Sequence, residues 1–175
     1  MNKQIRNLVF AALCLALCMV LPLLTGQIPE IGSMLLPMHI PVLLCGFLCG
    51  WPWGLAVGAI APIMRSLIFG MPPILPTALA MTFELAAYGA ISGLLYRLLP
   101  KKPWRIYAAL IGAMLAGRVV WAIASLIIYG LQGNAFTMQA FLAGAFVKAW
   151  PGIIVQIVLI PPIVYALGKA KLIDE

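Results

Sequence analysis

Long apolar runs, separated by short segments rich in Pro, Gly or polar residues, occupy almost all of the 175-residue chain. About twenty apolar residues are enough for a helix to cross the hydrocarbon core of a membrane. Hydrophobic residues make up 65% of the chain and charged residues only 9%, whereas soluble domains carry roughly 25% charge. These properties exclude a soluble enzyme, a disordered chain and a disulfide-bonded scaffold. They predict a single all-α integral membrane domain over residues 1–175.

The short segments rich in Pro, Gly or polar residues divide the chain into six predicted transmembrane helices. The predicted helices cover residues 7–25, 34–50, 54–69, 77–99, 106–129 and 138–167. Pro37 and Pro41 predict an irregular entry into the second helix, and residues 51–54 (Trp-Pro-Trp-Gly) predict a tight turn before the third. Pro151 and the pair Pro161-Pro162 predict breaks or bends in the sixth helix, because proline removes a backbone donor.

Most of the basic residues lie on one side of this predicted topology. They are Lys3, Arg6, Arg97, Lys101, Lys102, Arg105, Lys169 and Lys171. The opposite loops, 26–33, 70–76 and 130–137, contain no Lys or Arg. Since cytoplasmic loops carry an excess of these residues, we expect both termini and the 97–105 loop in the cytoplasm. The net charge of +7 therefore reflects membrane topology, and we predict no nucleic-acid partner.

Five ionisable residues interrupt the apolar segments: His39, Arg65, Glu84, Arg118 and Lys148. A charge at the bilayer centre costs from about 2.5 to above 10 kcal/mol, so such residues usually face a cavity or a partner. With one acid and three cations, two positive charges lack a partner, which is costly when they are buried. An anionic ligand in a pocket open to the outside would relieve this cost. The alternative is internal pairing combined with snorkelling, which suits Arg65 best and Arg118 worst.

Neighbouring polar and aromatic residues are candidates to complete such a pocket, among them Tyr88, Trp121 and Gln156. Trp121 lies three residues after Arg118, so the two share a helix face. The cysteines, by contrast, lie in apolar runs with no His, Asp or Glu beside them. We interpret Cys14, Cys18, Cys45 and Cys49 as small apolar packing residues and predict neither a metal site nor a cofactor.

Small residues recur at helical spacing in several segments. Gly46, Gly50, Gly54 and Gly58 are four residues apart, and Gly89 and Gly93 form another pair. Small faces let helices approach closely in lipid, and packing within the chain accounts for most of these positions. Ala12 and Ala16 form a similar face on the first helix, which has no buried charge. That face is a candidate surface for a separate membrane subunit.

The helix 2–3 region carries a family resemblance. Residues 38–46 (MHIPVLLCG), 50–54 (GWPWG) and Gly58, together with six helices and an apolar loop after the third, resemble the S component of an energy-coupling factor (ECF) transporter. The resemblance implies a subunit of a bacterial-type plasma membrane that binds a vitamin from outside. It implies partners as well: a transmembrane coupling protein, which Ala12 and Ala16 would contact, and two cytoplasmic ATPases. The chain has no GxxxxGK[ST] phosphate loop, and we do not expect it to be an enzyme.

Within that family, the excess of buried cations favours a ligand with a carboxylate, and pantothenate is the first candidate. On this hypothesis Arg118 and Lys148 bind the anion, while Arg65 with Glu84 orients it or closes the loop. Folate, cobalamin and riboflavin are alternative cargoes. A stand-alone secondary carrier, a structural membrane protein and a membrane-embedded enzyme are the alternatives of other classes.

Overall fold

The computed structural model describes residues 2–24, 34–102, 104–133, 137, 147, 149–170 and 172–173. This part of the chain contains six α-helices and no strand. They are α1 (Lys3–Leu24), α2 (His39–Cys49), α3 (Trp51–Phe69), α4 (Leu79–Leu98), α5 (Arg105–Leu131) and α6 (Trp150–Lys169). A π-helical turn (Ile74–Ala78) leads into α4.

Five of these helical segments, α1, α3, α4 with its preceding turn, α5 and α6, are long and apolar enough to cross a membrane. The remaining helix, α2, has only 11 residues. It extends about 16 Å, roughly half the hydrocarbon thickness. The predicted all-α membrane fold is thereby confirmed. The sixth crossing and the cytoplasmic position of both termini stay predictions.

The helices pack around α2 and α4. Helix α4 contacts α2, α3 and α5, whereas α1 lies against α2 and α3, and α6 lies against α2 and α5. Large apolar side chains cover the outward faces, with Leu98 71% exposed and Val158 66% exposed. An apolar exterior of this kind suits lipid as the solvent.

Glycines allow α4 to approach α2 and α3 at backbone distance. A methyl group at Gly54 would overlap the carbonyl of Gly89, and one at Gly89 would overlap the carbonyl of Gly54. Gly58 faces the backbone of Leu85 in the same way, and Gly46 also faces Gly89. The prediction that these small residues mediate packing within the chain is confirmed.

The predicted turn at residues 51–54 is wrong. Helix α3 begins at Trp51, and Gly50 alone, with φ of 92°, separates it from α2. Pro52 lies in the first turn of α3, where the backbone N–H has no intrahelical acceptor and its loss costs little. The irregular entry to the second helix is confirmed, since regular helix starts only at His39.

Proline also affects the start of the last helix differently from the prediction, whereas a bend at Pro161-Pro162 stays a prediction. Pro151 lies in the first turn of α6, and the helix continues through Pro161 and Pro162 without a break. Within a membrane protein, neighbouring groups can satisfy the carbonyls that an internal proline leaves without a donor. Most of the first part of the predicted sixth helix, residues 138–148, lies outside the described residues.

Candidate ligand-binding site

A buried carboxylate joins three helices. The Oε1 atom of Glu84 on α4 lies 2.9 Å from Nη1 of Arg118 on α5, and 3.6 Å from Nε2 of His39, the first residue of α2. All three side chains are buried. These residues, far apart in the sequence, are therefore brought together. Among the described Lys and Arg residues, Arg118 lies at ion-pair distance from Glu84.

Two aromatic rings lie beside the residues of this cluster. The Tyr88 ring packs edge-on against His39, with a centroid separation of 5.1 Å and an interplanar angle of 70°. Its other side lies against Gly117, where an added methyl group would come within 3.0 Å of the ring. Trp121 lies with its ring centroid 6.0 Å from the guanidinium carbon of Arg118, which confirms the predicted shared face.

Several buried polar atoms of the predicted site residues have no hydrogen-bond partner among the described residues. Both amide atoms of Gln156 on α6 are in this position, as are both ring nitrogens of His39 and Nη2 of Arg118. Gln156 is only 1% exposed. Since buried polar groups in proteins are nearly always hydrogen-bonded, this set of donors and acceptors is suited to binding a small polar molecule.

Arg65 makes different contacts from Arg118. Its Nη1 donates a hydrogen bond to the Met19 carbonyl of α1 at 2.7 Å, and its guanidinium carbon lies 4.9 Å from the Phe69 ring centroid. Met19 precedes Pro22, an internal proline of α1, by less than one turn. In the described residues Arg65 thus connects α3 to α1, and its contact with the ligand stays a prediction.

The structure describes the predicted partner-binding residues of α1 but not the predicted ligand-binding lysine. Ala12 and Ala16 are exposed on α1, as a docking surface requires. Lys148 lies outside the described residues.

Gly117 was missed by sequence reasoning, although a glycine next to Arg118 in the middle of a predicted helix is a signal that a bulky side chain packs there.

The four cysteines are buried. Cys18 lies 3.6 Å from the carbonyl oxygen of Met38, and Cys49 lies 3.5 Å from that of Asn7. These contacts join α1 to α2 and its entry segment, which agrees with their interpretation as packing residues. No group of three or more His, Cys, Asp or Glu within the described ranges is arranged to hold a metal ion.

A bundle of membrane-length helices with buried polar side chains between them defines an integral membrane protein. Comparison with known families narrows this class. A sequence model described as "ECF transporter, substrate-specific component" matches residues 6–164, and the chain belongs to this family. No curated protein and no solved structure matched it. The match includes every site residue from His39 to Gln156 and confirms the resemblance found in the sequence: the chain is a substrate-binding transporter subunit.

Proposed function

We propose that this subunit captures a carboxylate-bearing vitamin, pantothenate in the first instance, from outside the cell. It delivers the vitamin together with a transmembrane coupling protein and two cytoplasmic ATPases. The observation that carries the proposal is a set of buried polar atoms without a hydrogen-bond partner in the described part of the chain: both ring nitrogens of His39, Nη2 of Arg118 and both amide atoms of Gln156. Pantothenate offers a carboxylate, an amide and hydroxyls, which match a guanidinium, a side-chain amide and an imidazole.

The charges around the cluster refine the argument for an anion. Glu84 neutralises Arg118 at 2.9 Å, and Arg65 donates to a backbone carbonyl, so neither is a bare positive charge. The preference for a carboxylate therefore rests on the second guanidinium nitrogen of Arg118 and on Lys148, which we propose as the additional cation. Folate shares the carboxylate, whereas riboflavin and cobalamin have none and serve as discriminating ligands.

Thermal unfolding of the detergent-purified protein with each vitamin tests this proposal. A ligand present at a hundred times its Kd stabilises the folded state by about 2.7 kcal/mol, which raises Tm by roughly 5 °C or more. We expect this shift with pantothenate and none with riboflavin or cobalamin. A shift with riboflavin or cobalamin alone would refute the carboxylate preference, and no shift with any vitamin would refute the proposed cargo class.

Replacing Gln156 with Met separates ligand binding from structural support. Since its amide is buried without a partner, removing it relieves a desolvation cost of about 1–3 kcal/mol, so the ligand-free variant should be at least as stable as wild type. Its affinity for pantothenate should fall by about tenfold. Leu159→Met, at a partly exposed position of the same helix, is the control and should change neither quantity. Unchanged affinity in Gln156→Met would remove Gln156 from the site.

For partner docking, we propose the small outward face of Ala12 and Ala16. Small side chains let two membrane helices approach closely, so A12L/A16L should greatly reduce co-purification with a co-expressed coupling protein. Pantothenate binding should be unchanged, because both alanines are exposed on the surface of α1. Ala166→Leu places the same bulk at an exposed alanine of α6 and should retain the complex. Equal loss of the complex in both variants would contradict the assignment.

A further inference from the structure

A surface cavity lies at the end of the bundle where α4 and α6 end and α5 begins. It has a volume of about 440 Å³ and is open to the surface. Its polar lining comprises Tyr96, Lys101, Lys102, Arg105, Tyr165 and Lys169. Tyr96 follows Glu84 by twelve residues along α4, a rise of about 18 Å. The cavity is therefore separate from the ligand site described above.

The cavity concentrates positive charge. Its nine lining residues, all of them described, include four cations and no Asp or Glu. The guanidinium carbon of Arg105 lies 4.0 Å from the Tyr96 ring centroid, and Nζ of Lys169 lies 4.8 Å from that of Tyr165. Arg105 is only 7% exposed, so one cation is built into the wall. An aromatic ring orients a cation without cancelling its formal charge. The exposed ammonium groups of Lys101, Lys102 and Lys169 therefore leave the cavity suited to an anion.

We propose that this cavity binds the phosphate of an anionic phospholipid. The ends of membrane-length helices lie at the level of the lipid headgroups, and basic pockets between such helices bind anionic headgroups. Trp104 and Tyr165, both exposed, are the residue types that mark this level. The exposed apolar side chain of Leu98, near the end of α4, offers a surface for acyl chains. A soluble phosphate would make no use of that surface.

Native mass spectrometry of the full chain in detergent tests the proposal with three probes: phosphatidylglycerol, phosphatidylcholine and inorganic phosphate. Each Lys or Arg near an anionic membrane surface contributes enough to change affinity about fivefold. We expect Lys169→Gln to weaken phosphatidylglycerol binding by about that factor, and K101Q/K169Q to weaken it roughly 20-fold. Lys3→Gln, which removes an exposed lysine of α1, is the matched control and should have little effect. Thermal unfolding confirms that each variant is folded.

Four outcomes would overturn the proposal. Equal binding of phosphatidylcholine would show no preference for anionic lipid. Displacement of the lipid by inorganic phosphate at similar concentrations would indicate a site for soluble anions. Equal losses in Lys3→Gln and Lys169→Gln would indicate diffuse surface charge. Loss of the coupling protein in K101Q/K169Q, with lipid binding unchanged, would assign the cavity to a protein partner.

Discussion

Replacing Arg118 with Ala is expected to destabilise the ligand-free protein by about 3–5 kcal/mol, the usual cost of removing one partner from a buried ion pair. Glu84, at 2% exposure, would lose the guanidinium 2.9 Å away. His39, at 3.6 Å from the same oxygen, is the remaining neighbour described. The free energy of unfolding in detergent, measured without vitamin, gives the effect directly.

A double-mutant cycle distinguishes loss of the ion pair from loss of packing. R118M/E84Q removes both charges and retains similar volume, so it should lie within about 1–2 kcal/mol of wild type. Under the proposed function, the double variant should still bind pantothenate poorly, because Arg118 is absent. An R118A protein as stable as wild type would contradict a stabilising ion pair between Arg118 and Glu84.

Features that depend on a single physical variable could be predicted from the sequence. Hydropathy is sufficient to predict the all-α membrane fold, because a chain with 65% hydrophobic residues has few other folds available to it. The cost of charge in lipid is sufficient to select His39, Glu84 and Arg118 as residues that need partners. The glycine spacing likewise predicted close packing, since only a missing side chain allows the backbone contact of Gly54 with Gly89.

Features that depend on how two helices meet could not be predicted in this way. Arg65 and Arg118 both lie in apolar segments, yet one donates to the Met19 carbonyl and the other pairs with Glu84. The choice follows from which helix each faces: α3 packs on α1 and α4, and α5 packs on α4. Proline posed a similar difficulty. A proline breaks a helix only where its missing N–H would have had an intrahelical acceptor, and Pro52, in the first turn of α3, has none to lose.

The close crossing of α3 and α4 supports the ligand site, and Gly89→Leu should disrupt both. Any side chain at Gly89 would meet the backbone of Gly54 rather than a flexible side chain, so the two helices would have to separate. We expect a loss of more than about 3 kcal/mol, at or above the upper range for overpacking. Glu84 and Tyr88 lie on the same helix, so vitamin binding should be lost as well.

The same substitution at a second glycine shows whether the crossing itself is responsible. Gly130, near the end of α5, has no atom within 4 Å of an added methyl group, and Gly130→Leu should change stability by no more than about 0.5 kcal/mol. Size-exclusion chromatography and thermal unfolding in detergent measure both variants. A folded Gly89→Leu protein with wild-type stability and vitamin binding would show that α3 and α4 do not approach this closely. The position of Glu84 would then need a different explanation, because the backbone contact between Gly54 and Gly89 is what places α4 against α3.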